Sequence, residues 1–395
     1  MVKFAKRMEN VSGSVIREIL KLMGDPEIIS FGGGNPAKES FPIELVEQIA
    51  HEVLEKNGAN ILQYGTTEGY MPLRESYLTH IARPKGVTAG EESVLTLTGS
   101  MQGVDLVAKV FIDPGDVVLV ESPTFLGSLQ AFHTYQANCV PVNMDDEGVD
   151  LNDLEEKIRA HRPKLFYVIP TFQNPTGKTL GIERRRAIAE LAAKYDIIVV
   201  EDDPYCDLRY SGSPVPPIKT FDQSGNVILL NSFSKILSPG LRVGALVATP
   251  EITKKLTVAK QSSDTHTSNL TQAIADMFLR RGLLPGHLNN IIPMYAERLR
   301  TMLAGIEAHF PASFRYTRPE GGLFVWGELP GTPDVPAMLK RATSEFKVAF
   351  IPGQYFYIRP ESMGQNTIRL NFSSATPERI AIGMERLGRL VKESI

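Results

Sequence analysis

Ser232-Phe233-Ser234-Lys235 follows the apolar run Val227 to Leu230, and Ser238-Pro239-Gly240-Leu241-Arg242 comes next, so one lysine sits in a turn ringed by hydroxyls. A lysine becomes a nucleophile or a Schiff-base residue when burial or a neighbouring cation lowers its pKa, and Arg242 is the candidate cation here. Glu201-Asp202-Asp203-Pro204-Tyr205 closes a second apolar run, which lets Asp202 face the same crevice as Lys235. Asn174-Pro175-Thr176-Gly177 adds an amide in a rigid turn. Gly99-Ser100-Met101-Gln102 lies between a strand and a helix start, where backbone N–H groups and the helix dipole bind phosphate. Taken singly, such residues are usually a solvated lysine, a turn acid and a turn amide. Their company makes them a candidate site.

The elements that must position them alternate short β-branched runs with helical patterns, the signature of a mostly parallel sheet covered by helices. Strands are expected near Ser93–Leu97, Val117–Glu121, Ala137–Val142, Leu165–Ile169, Ile197–Glu201, Val227–Leu230 and Val243–Ala248. Helices fit between them at Met101–Phe111, Phe125–Tyr135, Leu151–Arg159 and Ile182–Tyr195. After Gly282 the pattern changes to a long amphipathic helix, roughly 285–310, a Gly-rich strand around 321–329 and a closing helix from Pro377. That division predicts an N-terminal segment at 1–44, a large domain at 45–281 and a smaller C-terminal unit at 282–395.

Other motifs fail on inspection. Gly177-Lys178-Thr179 resembles the end of a nucleotide-binding Walker loop, but the glycine required five residues earlier is Phe172. His51-Glu52 begins like a zinc-protease helix, yet Glu55 stands where the second histidine is needed. No G-x-G-x-x-G follows a strand, so a nicotinamide dehydrogenase is not expected. Forty-two Lys and Arg against 45 Asp and Glu give a net charge of -3, too balanced for a nucleic-acid footprint or a polybasic membrane anchor. Apolar runs fall far below the roughly 18 residues of a membrane helix. Two cysteines, Cys139 and Cys206, offer neither a disulfide framework nor a zinc knuckle, and the N-terminus lacks a secretory pattern. The expectation is a cytoplasmic protein acting on small molecules, without nucleic acid, membrane or metal.

The series Gly99-Ser100, Pro123-Thr124-Phe125, Asn174-Pro175-Thr176-Gly177, Asp202-x-x-Tyr205, Ser232-x-Ser234-Lys235, Arg242 and Arg369-Leu370-Asn371-Phe372 resembles the fold type I, class I/II aminotransferases that use pyridoxal 5'-phosphate. The likeness runs from about Ser14 to the last helix. Ile16-Arg17-Glu18-Ile19-Leu20, Ile29-Ser30-Phe31 and Gln63-Tyr64-Gly65 resemble the branch holding the 2-aminoadipate and kynurenine aminotransferases. Gly34-Asn35-Pro36 departs from the Gly-Leu-Pro usual there, and Phe125 from a tyrosine.

The resemblance implies a mostly parallel seven-stranded sheet in a large α/β domain, and a smaller α+β domain formed by both chain ends. It also implies roles. Lys235 would hold the cofactor covalently and then move the substrate proton, while Asp202 would pair with the pyridine nitrogen. Tyr205 and Asn174 would hydrogen-bond the ring oxygen and Phe125 would cover the ring face. Ser100, the Met101 backbone, Ser232, Ser234 and Arg242 would hold the phosphate, and Tyr64 would reach the phosphate of the neighbouring subunit in a homodimer. Arg369 would grip the substrate α-carboxylate beside Gly33 and Asn174, and Arg17 would read a side-chain carboxylate. The implied activity is ping-pong amino transfer from an L-amino acid, among them 2-aminoadipate, glutamate, aromatic and branched-chain types, to a 2-oxo acid, with 2-oxoglutarate expected. The rivals are a lyase or decarboxylase on the same cofactor, and the aminotransferase-like sensor domain of winged-helix regulators. A pattern that starts by about Ser14 leaves no room for the DNA-binding domain of the latter.

Overall fold

The computed structural model describes residues 2–8 and 25–395; Arg17 and the motif around it lie outside those residues. The first strand, β1 (Ile29–Ser30), belongs to the C-terminal part of the chain in space, as its pairing below makes plain. The large sheet is built from β2 (Val94–Leu97), β3 (Val117–Ser122), β4 (Asn138–Asp145), β5 (Gly148–Val149), β6 (Leu165–Val168), β7 (Ile198–Asp202), β8 (Val227–Ser232) and β9 (Gly244–Val247). Their spatial order is β2-β9-β8-β7-β6-β3-β4-β5.

Strands β8, β7, β6, β3 and β4 pair in parallel, and β9 runs antiparallel to both β8 and β2. All seven expected strands are present. An eighth, the two-residue β5, extends the edge by a hairpin from β4, because Gly148 takes a φ of 104° that permits the tight reversal. Central strands such as β6 and β8 are buried along their whole length, as sheets covered on both faces require.

The helix Ser100–Phe111 lies on this sheet through Val104, Leu106, Val107 and Ala108. Gly103 lets it approach closely: a Cβ there would stand 2.8 Å from both Leu97 Cδ1 and Leu230 Cδ2. Truncating Leu230 to alanine beneath that contact would cost about 2–5 kcal/mol.

A second sheet follows, with β10 (Arg315–Tyr316), β11 (Phe324–Glu328), β13 (Ile351–Pro352) and β14 (Thr367–Asn371) antiparallel in the order β10-β11-β14-β13. The pair β1 and β12 (Val348–Ala349) is parallel, with Ile29 opposite Val348. The N-terminal strand is thereby tied to the C-terminal unit. The helices Leu283–His309 and Pro377–Ser394 pack together behind it. One core cluster contains Leu97, Val120 and Leu230 of the large sheet together with Phe324, Leu370 and Met384 of the C-terminal part, so apolar packing is continuous between them.

Candidate active site

Strand ends build the site. β7 delivers Asp202 and the following Tyr205, β8 delivers Ser232, Ser234 and Lys235, and the segment after β6 delivers Asn174. These residues line one pocket together with Ser100, Met101, Phe125, Ile169, Pro204 and Arg242. Its position beyond the carboxyl ends of parallel strands is where open α/β sheets bind ligands.

Lys235 is half-buried, and its Nζ donates to the Gly34 carbonyl at 2.8 Å, 6.0 Å from the Tyr205 ring centroid. Burial, then the positive charges of Arg369 and Arg242, push its pKa down to about 8. The sequence pointed to Arg242 as the activating cation. Arg369 proves the stronger of the two charge influences.

Asp202 is 3% exposed. Its Oδ2 accepts the Tyr167 hydroxyl at 2.7 Å, and its Oδ1 is buried without a partner. Burial raises the carboxyl to about 6 despite that hydroxyl. A buried carboxylate oxygen left open costs free energy unless a ligand donor meets it. A protonated ring nitrogen is such a donor.

Arg369, on β14, is 3% exposed and sits between two aromatic rings, 4.5 Å from the Phe324 centroid and 4.8 Å from the Phe356 centroid. Its Nη1 donates to Asn174 Oδ1 at 2.9 Å, and its Nη2 to the carbonyls of Gly32 at 2.7 Å and Gly33 at 3.4 Å. Burial brings the guanidinium down to about 10. Among the described residues no carboxylate pairs with Arg369, Arg242 or Lys235. The three basic side chains give the site a positive character that suits anionic ligands.

The anion-binding turn is equally open. Gly99, at φ 82°, precedes the helix Ser100–Phe111, and a side chain there would overlap the Arg242 guanidinium. Arg242, also left-handed at φ 53°, donates to the Thr98 carbonyl at 3.1 Å. Ser232 Oγ accepts the Ser234 N–H at 3.2 Å, and both serines line the pocket. The donor set suits a phosphate dianion.

Tyr64 does not join this pocket. It is 81% exposed and meets His266 edge-on at 5.8 Å. Sequence reasoning singled out Gly33 but passed over Tyr167, Phe324, Phe356 and the carbonyls of Gly32 and Gly34. Tyr167 was signalled only as a ring hydroxyl inside an otherwise apolar strand, and carbonyls carry no side-chain signature at all.

A lysine and a buried aspartate beside a turn of hydroxyl and N–H donors, at the strand ends of this mixed sheet, define an enzyme of the fold type I class built around pyridoxal 5'-phosphate. The family model for aminotransferase class I and II matches residues 26–387, and the chain belongs to that family. It is a pyridoxal-phosphate-dependent aminotransferase. It is 43% identical to aromatic-amino-acid aminotransferase 1 of Thermococcus litoralis, over 99% of this chain and 94% of that one. It is 41% identical to the 2-aminoadipate transaminase of Thermus thermophilus, over 98% and 96%. The crystal structure of Pyrococcus horikoshii kynurenine aminotransferase, in complex with PMP, superposes with a TM-score of 0.94 at 41% identity, covering 99% of this chain and 97% of that one.

Proposed function

We propose that the enzyme transfers the amino group of an L-amino acid, of acidic or aromatic type, to 2-oxoglutarate or a similar 2-oxo acid by a ping-pong exchange. The observation that carries this reading is Arg369, a buried guanidinium caged by two rings and free of carboxylate partners among the described residues. Such a group selects the α-carboxylate common to amino and 2-oxo acids. The relatives act on aromatic amino acids, 2-aminoadipate and kynurenine by their names, which supports a pocket open to both side-chain types.

When bound, pyridoxal phosphate supplies a protonated ring that withdraws electrons from the substrate Cα. The chain's residues do the rest in our reading. Asp202 would pair with the ring nitrogen and keep it protonated, and Tyr167, bonded to Oδ2, fixes the carboxylate's orientation. Asn174 and Tyr205 would hydrogen-bond the ring oxygen, and Phe125, which lines the same pocket, would cover the ring. Ser100, Met101 N–H, Ser232, Ser234 and Arg242 would hold the phosphate. Lys235 Nζ would hold the cofactor and, once the substrate amine takes its place there, would remove the Cα proton; a pKa lowered to about 8 suits it to act as a base. Arg369 sets which Cα bond is aligned for cleavage, with Gly33 and Asn174 completing the carboxylate site.

We assign Arg17 to reading a side-chain carboxylate, Tyr64 to the phosphate of a second subunit in a homodimer, and the protein to the cytoplasm, where its two free cysteines fit. The domain limits proposed are 45–281 for the cofactor domain and 1–44 with 282–395 for the smaller one; the pairing of β1 with β12 supports joining the two ends. A half-reaction panel tests the substrate class: the holoenzyme is mixed with single amino acids and loss of its visible absorbance is followed. Rapid loss with glutamate, 2-aminoadipate and an aromatic amino acid supports the reading. Response to none of them, or release of carbon dioxide or ammonia instead of keto acid, defeats it.

A further inference from the structure

A charged pair, a buried lysine and a half-buried aspartate, packs against the turn at 98–102 and takes no part in the chemistry above. Asp264 stands in the loop between the helices Pro250–Gln261 and Asn269–Arg280. Its Oδ2 accepts Thr98 Oγ1 at 2.8 Å and Gln102 Nε2 at 2.7 Å, so it grips both ends of the turn at 98–102. Lys260, whose side chain is fully buried, places Nζ 2.6 Å from Asp264 Oδ1 and 2.8 Å from Oδ2. The same Nζ donates to Gln102 Oε1 at 3.1 Å, and that oxygen also accepts the Thr98 N–H at 2.8 Å. Thr98 Oγ1 further meets Thr267 Oγ1 at 3.1 Å, and the Thr98 carbonyl accepts from Arg242. Every polar group of Thr98 is therefore fixed, directly ahead of Gly99 and Ser100.

Burial pushes the Asp264 carboxyl up, but hydrogen bonds from Lys260, Gln102 and Thr98 outweigh it and hold it below the ordinary aspartate value. A carboxylate is the strongest acceptor available to clamp such a turn. Left alone, its charge would also repel the dianion that the turn binds. The Lys260 ammonium cancels that charge at contact distance.

We propose that Asp264 and Lys260 form a charge-neutral clamp that holds residues 98–102 in their phosphate-binding shape, which makes both of them, with Thr98, positioning residues for the cofactor phosphate. The proposal rests on the reading of this turn as the phosphate site. The full-length chain, stripped of cofactor, is titrated with pyridoxal phosphate and with pyridoxal, which lacks the phosphate. Lys235 and Asp202 act alike on both ligands, so the ratio of affinities isolates the turn.

Thr98→Val is expected to weaken pyridoxal phosphate about tenfold and leave pyridoxal within about twofold, whereas Thr98→Ser binds both as the parent does. Lys260→Met alone, which strands the Asp264 charge, weakens pyridoxal phosphate more than Lys260→Met combined with Asp264→Asn, whose turn carries no uncancelled charge. Equal losses for the two ligands, or an unchanged affinity for pyridoxal phosphate, overturn the clamp. If the parent protein itself binds both ligands equally, the phosphate reading of the turn fails first, and the clamp with it.

Discussion

Lys235 is the residue on which the account turns, and its surroundings set its behaviour. Burial and two guanidinium groups disfavour the ammonium form, so the neutral, nucleophilic amine is reached near pH 8 and not near the ordinary lysine value of 10.5. The rate at which cofactor-free protein captures pyridoxal phosphate, followed by visible absorbance, should rise with pH to a half-maximum near 8. An inflection above 10 would mean that the lysine is solvated. The sequence made Lys235, Asp202 and Arg369 legible because each sits in a short motif with a distinctive order. What it could not convey was distance: Arg369 reaches the pocket from β14, more than a hundred residues away, and overtakes the nearby Arg242 as the dominant cation. The partner of Asp202, Tyr167, was hidden for the same reason, since a tyrosine in an apolar strand reads equally well as plain core.

Strands and helices were the most legible elements, because seven apolar runs and the helices between them obey simple periodicities. The two-residue β5 escaped, being too short to carry a pattern. The loops between elements also hold interactions that periodicity ignores. At the end of β3, Glu121 accepts the Ile169 N–H at 3.0 Å and the Gln173 amide at 3.2 Å, and Gln173 in turn donates to the Pro123 carbonyl at 2.8 Å. Gln173 Oε1 accepts Thr176 N–H and Oγ1, so this pair ties the segment of Phe125 to the turn of Asn174. Burial lifts the Glu121 carboxyl to about 8. A raised acid keeps its proton in the folded state while the unfolded chain loses it, so its contribution to stability falls as pH rises from the unfolded value, about 4.5, through 8. Glu121→Gln should remove that slope: the melting temperature of the variant, relative to the parent, rises between pH 5 and pH 8. A difference that stays flat over this range would show that Glu121 does not titrate there.

At the scale of the whole molecule, the described surface carries Ile43, Leu54, Leu62, Tyr64 and Met71 exposed along one stretch of chain, with Leu62 at 74% and Tyr64 at 81%. Under the proposed homodimer these residues are the candidates for the subunit contact. If Tyr64 completes a neighbouring subunit's phosphate site, Tyr64→Phe and Lys235→Ala proteins, each defective, should recover cofactor retention in one site per dimer when their subunits are mixed. Mixed dimers no better than the parents would confine each site to a single chain. Gly34 from the N-terminal segment meets Lys235, and its neighbours Gly32 and Gly33 meet Arg369 of β14; the proposed amino transfer rests on one lysine, Lys235, joined to one cofactor. Borohydride reduction of the intact holoenzyme, followed by peptide mass analysis, tests that claim most directly. The account predicts the reduced cofactor on Lys235 alone; label on another lysine, or on none, would contradict it.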